Sequence, residues 1–410
     1  MVIGIDASRV NIKNKTGTEY YSYNLIKHLL KIDKINKYIL YSSRSLKDEF
    51  KGLNFINRIL YAPYLWTQLR LSAEILKAPP DLLFIPAHTI PWIHPKKTVV
   101  TIHGLEYEYC PEAYSAFERR HLRLTTRLAV KWARKIIVPS ECTKRDLIKF
   151  YQANKEKVKV VYHGYDQKVQ SQKSLRCQSS VFRSCIATEE GFGASATKVK
   201  SVIQNSKFKN TKYRIQNTKC ILFIGRLEKR KNLVRLIQIF NLLKKKYNIS
   251  HKLILAGKKG FGFKEIKKAI QNSSYQRDIF LKGYILEKEK TDLLKNADIF
   301  VFLSFYEGFG IPVLEAMVSG TPVVCSNVSS LPEIVGNAAL LVDPLDADKA
   351  AEAVYKLLKD ENLRNKMIKR GFENIKRFSW EKCARETLKV LEEAGEDSSL
   401  VQSSTIEPQI

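Results

Sequence analysis

Seven cysteines, at 110, 142, 177, 185, 220, 325 and 383, form no C-x-x-C pair, and their number is odd. That spacing argues against a zinc site and against a disulfide framework, and for a reducing compartment. Long apolar runs are missing too. Nowhere do about 18 apolar residues follow one another, the length a membrane-spanning helix needs. The start, MVIGIDASRV, lacks the basic-then-apolar order of a secretory signal. The expectation is a cytoplasmic protein, soluble or peripheral at the inner face of the cytoplasmic membrane. Acidic residues are scarce: 41 Asp and Glu stand against 70 Lys and Arg, a net charge of +29. Such a chain attracts anions, whether nucleic acid, an acidic polymer, a membrane surface or nucleotide substrates. The remaining composition is that of a soluble globular protein, and 410 residues suffice for two domains, each with its own core.

What the chain does have is a recurring alternation. Short β-branched runs at 2–7, 38–42, 59–62, 82–86, 98–103, 136–139 and 158–162 are separated by helical patterns. A second set follows at 220–225, 253–257, 279–283, 299–303, 322–325 and 339–342. Near-continuous apolar strands between helices predict parallel sheets covered on both faces. Two such sets predict an α/β chain of two doubly wound, Rossmann-like domains facing a central cleft. The expected bounds are 1–166 and 220–378. Ligands of such sheets bind beyond the carboxyl ends of the strands, at the loops that follow them. Between the sets, 167–219 is rich in Ser, Gln, Asn and Lys, with eleven Lys and Arg against Glu189 and Glu190. Its composition reads as a disordered basic insertion. Ser379 is placed to cap a last helix, about 379–394, before a polar, flexible tail at 395–410.

The most informative stretch is 298–336, DIFVFLSFYEGFGIPVLEAMVSGTPVVCSNVSSLPEIVG. An apolar strand ends at Ser304, a glycine-rich turn carries Glu307, Gly308, Phe309 and Gly310, and Pro312 opens a helix that carries Glu315. Pro suits a first helical turn. The glycines admit a ligand close to the backbone, and the free N–H groups of the first turn favour an anion. Two carboxylates beside such a site fit a ligand with hydroxyls as well as phosphates.

Other strand ends add charge. Gly225-Arg226 closes a strand, and Lys231 follows five residues later; together they could neutralise a diphosphate leaving group. Lys229 and Arg230 between them read as plain surface charges. His103 and Gly104 follow the strand 98–102. Thr16-Gly17-Thr18 forms a loop before a helix at 20–30. His163-Gly164-Tyr165-Asp166 reads as a turn. Asp346 and Asp348 have the spacing of a metal pair, but they open a helical pattern at 349–358, where acids favour the N-terminus. No metal site is expected. Ser330-Leu-Pro-Glu333 reads as a capping box.

With these residues in view, the chain resembles the family 4 glycosyltransferases, which have the two-domain GT-B fold. The likeness runs over most of 1–165 and 220–394. Glu307 and Glu315 fit the family's E-x7-E motif around an intact Gly-Phe-Gly-Ile-Pro core, and Gly225-Arg226 with Lys231 fits G-R-x4-K. His163-Gly164-Tyr165-Asp166 fits the N-G-V-D turn at its second and fourth positions. Thr16-Gly17-Thr18 stands where many members have a Gly pair. The insertion has no counterpart in the family.

The resemblance implies a retaining, metal-independent glycosyltransferase without a cofactor. Glu307 would hold hydroxyls of the transferred sugar, and Glu315 the ribose. Arg226 and Lys231 would stabilise the departing diphosphate. Gly17, Gly225 and the backbone of Gly308, Phe309 and Gly310 would line the donor site. His103 would touch the reacting sugar from the opposite domain. The segments Gly4-Ile-Asp6-Ala and Thr101-Ile102-His103-Gly104 look most like the mannosyltransferase branch. That favours GDP-mannose as donor and leaves UDP- and ADP-sugars open. The implied acceptor is a glycan or a lipid-linked glycan of cell-surface polysaccharide synthesis. Arg119, Arg120, Arg123, Arg127, Lys131, Arg134 and Lys135, interleaved with Phe117, Leu122, Leu124 and Trp132, could hold a helix at an anionic membrane. They would equally suit a core helix with a charged outer face. Two alternatives predict other behaviour. A nucleotide-sugar epimerase or a phosphorylase of similar fold would act without an acceptor. A nucleic-acid binder, an unfavoured reading, would show steep salt dependence.

Overall fold

The computed structural model describes residues 1–12, 15, 17–62, 64–165 and 219–396. The basic low-complexity segment up to 218, Thr16, Asp166 and the tail beyond 396 lie outside the described residues.

Two parallel sheets carry the fold. The first holds β1 (Val2–Asp6), β2 (Lys37–Ser42), β3 (Ile56–Ile59), β4 (Leu82–Ile85), β5 (Thr98–Thr101), β6 (Lys135–Val138) and β7 (Val158–Val160) in the order β3-β2-β1-β4-β5-β6-β7. The second holds β8 (Cys220–Ile224), β9 (Lys252–Ala256), β10 (Ile279–Lys282), β11 (Ile299–Phe302), β12 (Val323–Ser326) and β13 (Leu340–Val342) in the order β10-β9-β8-β11-β12-β13. Strand order reverses between β1 and β4 and again between β8 and β11. Such reversals open the crevice where ligands of doubly wound sheets bind. The apolar runs explain the burial: every residue of β4, β5, β8, β11 and β12 is buried. One strand sits elsewhere than its apolar run. The expected strand 59–62 lies at Ile56–Ile59, an edge position that is largely exposed and needs no continuous apolar stretch.

Helices cover both faces. They are α1 (Gly17–Ile32), α2 (Ser72–Lys77), α3 (Glu106–Tyr109), α4 (Ala116–Trp132) and α5 (Glu141–Tyr151) in the first half. The second half has α6 (Leu233–Tyr247), α7 (Phe263–Gln271), α8 (Glu287–Asn296), α9 (Ile311–Val318), α10 (Leu331–Val335), α11 (Ala347–Lys359), α12 (Glu361–Asn374) and α13 (Trp380–Gly395). A π-helical turn, Trp66–Leu71, runs directly into α2. Ser115 and Glu118 form a reciprocal capping box on α4, and Ser379 caps α13 by accepting from the Lys382 N–H at 3.0 Å.

Alternate residues of the first sheet feed two cores. Ile3, Ile5, Phe84 and Val99 pack with α1 and α13, whose Trp380, Cys383, Ala384, Thr387, Val390, Leu391 and Ala394 form one buried stripe. Leu83, Ile85, Val100 and Ile136 face the other way, against Leu71 of the π-helical turn and Ile75, Ala129 and Leu147 of α2, α4 and α5. The last helix of the chain thus belongs to the first sheet's core. Its start crosses over Gly164, where a Cβ would come within 2.2 Å of the Trp380 nitrogen and 2.6 Å of the Ser379 carbonyl carbon.

Loops at the carboxyl ends of the two sheets meet directly. Ser140, the N-cap of α5, donates to Gly308 O at 2.7 Å, and Tyr306 OH donates to Asp146 Oδ2 at 2.7 Å. Glu333 does not close a capping box on its own helix. Its carboxylate accepts the Glu141 and Cys142 N–H groups at 2.8 and 3.1 Å, so a carboxylate of one domain caps a helix of the other.

Gly164→Ala is expected to destabilise the fold by about 1–3 kcal/mol through overpacking against Trp380. Gly283→Ala, where no atom lies within 4 Å of the added Cβ, should leave the thermal midpoint unchanged. Equal midpoints for both variants would contradict the close crossing at 164.

Candidate functional site in the interdomain cleft

The site starts from a loop that cannot tolerate side chains. A Cβ on Gly308 would lie 1.7 Å from His103 O, and one on Gly104 would lie 3.3 Å from Gly308 Cα. The turn after β11 and the turn after β5 are therefore in backbone contact. Gly310 adopts φ 106°, a conformation L side chains rarely take, and hands the chain to α9. Ser330 holds this turn from behind, donating to Glu307 O at 2.9 Å and Phe309 O at 3.0 Å. That is why Ser330 is not the capping residue its spacing suggests: its hydroxyl is spent on the turn. The Phe309 side chain is buried between His163, Tyr162 and Phe378. Among the described residues, the N–H groups of Gly308, Phe309 and Gly310 donate to no protein acceptor. Three consecutive unpaired amides ahead of a helix are an arrangement that favours an anion.

Glu307 is buried and faces two cations. Lys231 Nζ donates to its Oε1, and Arg230 Nη1 lies 3.5 Å from its Oε2. Burial alone would raise the Glu307 pKa; Lys231 and then Arg230 outweigh it and hold the carboxyl below the usual range. Burial and the adjacent Arg230 push the Lys231 ammonium down from its usual value, against the pull of Glu307. Arg230, which looked like a plain surface charge, is part of the site. Its Nη1 donates to Tyr306 O at 2.9 Å and its Nη2 to Glu228 Oε1 at 2.8 Å. The sequence offered one unused clue, Glu228 two residues before it. Arg226 is different. Its side chain is 61% exposed, and its Nε lies 3.5 Å from Glu228 Oε2. It leaves a guanidinium fork open to a ligand. Gly225 sets the start of this loop, donating to Ala256 O at 3.0 Å.

Glu315, on α9, is paired with Lys290 Nζ at 2.6 Å. Lys290 also contacts Glu287 at 2.9 Å and sits 5.6 Å over the Tyr20 ring of α1. Nothing in the sequence pattern links Lys290 to Glu315. Gly17 is not in a loop: it opens α1, with space around it. The reason is the apolar face that begins immediately, where Tyr21, Leu25 and Ile26 draw the first turn onto the core.

His103 donates from Nε2 to Pro86 O at 3.0 Å, and its backbone N–H donates to His88 Nε2 at 3.2 Å. A carbonyl only accepts, so Nε2 carries the proton and Nδ1 is left as an acceptor, an assignment made from the hydrogen-bond network. Burial, then His88, pushes His103 down to about 3. His163 is buried against the Tyr21, His103, Phe309 and Trp380 rings, so the turn it opens is a packed junction. Asp346 caps α11 through the Lys349 N–H, and among the described residues no cluster of three His, Cys, Asp or Glu could hold a metal.

Two family models match the chain in tandem: "Glycosyltransferase Family 4" over residues 16–169 and "Glycosyl transferases group 1" over 204–374. The O-antigen chain mannosyltransferase B of Escherichia coli is 28% identical over 391 residues, 91% of this chain and 95% of that protein. The O-antigen chain mannosyltransferase RfbU of Salmonella typhimurium is 24% identical, covering 78% and 77%. Among solved structures, Anabaena Alr3699/HepE in complex with UDP-glucose has a TM-score of 0.67 at 17% identity, covering 96% of this chain and 99% of that one. WaaG, a glycosyltransferase involved in lipopolysaccharide biosynthesis, has a TM-score of 0.69 at 13% identity, covering 95% and 99%. The two-sheet architecture is that of the GT-B fold.

His103 has a definite pH signature. With a folded value near 3 and an unfolded value of about 6.5, its contribution to stability is complete above about 6.5 and is lost progressively as pH falls toward 3. Urea unfolding of His103→Asn should therefore depend less steeply on pH than wild type between pH 6.5 and 4, by up to about 1.4 kcal/mol per pH unit. Parallel profiles would contradict the neutral, buried imidazole.

Proposed function

The chain belongs to the family 4 glycosyltransferases, and on that premise we propose that it moves a hexose, mannose by preference, from a nucleotide-diphosphate sugar to a glycan or lipid-linked acceptor, with retention of anomeric configuration. The observation that carries this reading is the joining of Lys231 and Glu307 beside three consecutive donor amides. Departure of a nucleoside diphosphate develops negative charge on phosphate oxygens. Lys231, the open fork of Arg226 and the amides of residues 308–310 are placed to meet that charge without rearranging, the most effective form of electrostatic stabilisation. On this reading no metal is required.

Glu307 then holds hydroxyls of the sugar, and its depressed pKa keeps it an acceptor. Glu315 holds the ribose, exchanging part of its contact with Lys290 for ribose hydroxyls. His103 offers Nδ1 as a hydrogen-bond acceptor from the facing wall. The two mannosyltransferase relatives support mannose as the sugar and a polysaccharide as the product. The HepE complex with UDP-glucose keeps a uridine donor in view.

Glu307→Ala and Lys231→Ala should each lower transfer by about 10²-fold or more, the scale seen when a preorganised charge-stabilising contact is removed. Glu315→Ala should act mainly on donor KM. Undiminished turnover in the first two variants would sink the site assignment. Excess EDTA should leave the rate unchanged; loss of activity restored by a divalent cation would contradict the metal-free reading. In a thermal-shift panel of GDP-, UDP- and ADP-sugars, GDP-mannose should give the largest rise. A ligand at 100 times its Kd stabilises the fold by about 2.7 kcal/mol.

A further inference from the structure

Three carboxylates of the second domain at the cleft are paired: Glu307 with Lys231, Glu228 with Arg230 and Glu315 with Lys290. One carboxylate of the first domain is not. Glu106 opens α3 just after the turn that follows β5, is half-buried, and makes no hydrogen bond or ion pair through its side chain among the described residues. Gly104 makes room for it. A Cβ at 104 would lie 2.8 Å from Glu106 Oε2, 3.3 Å from Gly308 Cα and 3.5 Å from Gly308 N. The Glu106 carboxylate therefore reaches the place where the two domains touch, close to the first of the three unpaired amides. Glu108, two residues on, is by contrast fully engaged: Arg123 Nε donates to it at 3.0 Å and Tyr151 OH at 2.6 Å. An acid in a first turn can serve simply to offset the helix dipole, but α3 has four residues and little dipole to offset.

The charges around Glu106 restrict what it can hold. Burial works against the Arg230 charge; Glu307 and then Glu106 outweigh it and raise the Arg230 pKa. Burial lowers the His88 pKa against the pull of Glu106. Burial and then Glu106 raise that of Tyr114. Glu106 thus stands among Arg230, His88 and Tyr114 without a hydrogen bond to any of them. An anionic ligand group would meet its negative charge, and a cationic one would meet Arg230, Lys231 and Arg226. Neutral hydroxyls escape both penalties. They donate to the carboxylate, which can accept several hydrogen bonds, and they add no charge. Arg230 also lies 3.5 Å from Glu307 Oε2. One guanidinium therefore serves two carboxylates, one from each domain.

We propose that Glu106 holds a hydroxyl of the acceptor glycan from the first domain's side of the cleft, while Glu307 holds the donor sugar from the second. Glu106 then makes the acceptor subsite selective for a neutral polyol over a charged group. This assignment rests on the reading of the chain as a transferase. Nothing in the sequence pattern marks Glu106; its lack of a partner in the fold does.

The test is steady-state transfer from GDP-mannose to methyl α-mannotrioside and to its monodeoxy forms, by wild type, Glu106→Gln and Glu106→Ala. Both variants should raise the acceptor KM by about tenfold or more, the worth of a hydrogen bond to a charged group. Donor KM, the thermal shift given by GDP-mannose and the melting midpoint of the free protein should stay as in wild type. One monodeoxy acceptor should lower the wild-type kcat/KM by a similar factor and leave that of Glu106→Gln unchanged, because the missing hydroxyl and the missing carboxylate belong to one contact. A merely structural role would lower every acceptor alike and show no such coupling. Unchanged acceptor KM in both variants would overturn the proposal. So would a donor KM that rises in step, a lowered melting midpoint in both variants, or losses that add for every deoxy acceptor. Those outcomes leave transfer by wild type standing. No transfer by wild type to any of these acceptors would instead overturn the transferase reading, and this assignment with it.

Discussion

A buried ion pair between two loops organises the cleft. Lys231 and Glu307 come from the turns after β8 and β11, neighbouring strands at the point where strand order reverses. Taking either charge out of water alone would cost several kcal/mol, so each loop depends on the other for its position. Arg230 binds the same carboxylate and the carbonyl before it, and the serines at 329 and 330 hold the turn from the far side. With the turn so constrained, its next three amides donate to no protein acceptor among the described residues.

The same turn joins the domains. Gly308 O accepts from Ser140, and Gly308 Cα lies against the His103–Gly104 backbone, an approach that a Cβ at 308 would forbid. Glu333 caps α5 across the junction, and Tyr306 reaches Asp146. Donor-side and facing-side groups are therefore positioned by one set of contacts.

Much of this was legible in the chain. Strand positions and the two-sheet architecture followed from continuous apolar runs, because buried parallel strands carry their whole environment in their composition. Glu307, Arg226 and His103 stood out because they lie beside glycines just after strands, and Glu315 and Lys231 because of their spacing from Glu307 and Arg226 at a helix entrance. What stayed hidden depended on distance in sequence. Arg230 was taken for surface charge because its partner is 77 positions later. Lys290 meets Glu315 only through helix packing. Glu333 and Ser330 matched a local capping pattern, yet both spend their oxygens on tertiary contacts. Gly17 looked like a loop residue, but the apolar face of α1 starts early enough to include it.

The central claim is that the cleft transfers a sugar with its configuration kept. It is tested most directly by following the anomeric proton of GDP-mannose by NMR, with a short mannose oligosaccharide present. The account predicts that the α-anomeric donor signal is replaced by an α-linked product and free GDP, only when the oligosaccharide is there. A β-linked product, or free or isomerised sugar formed without the oligosaccharide, would contradict it.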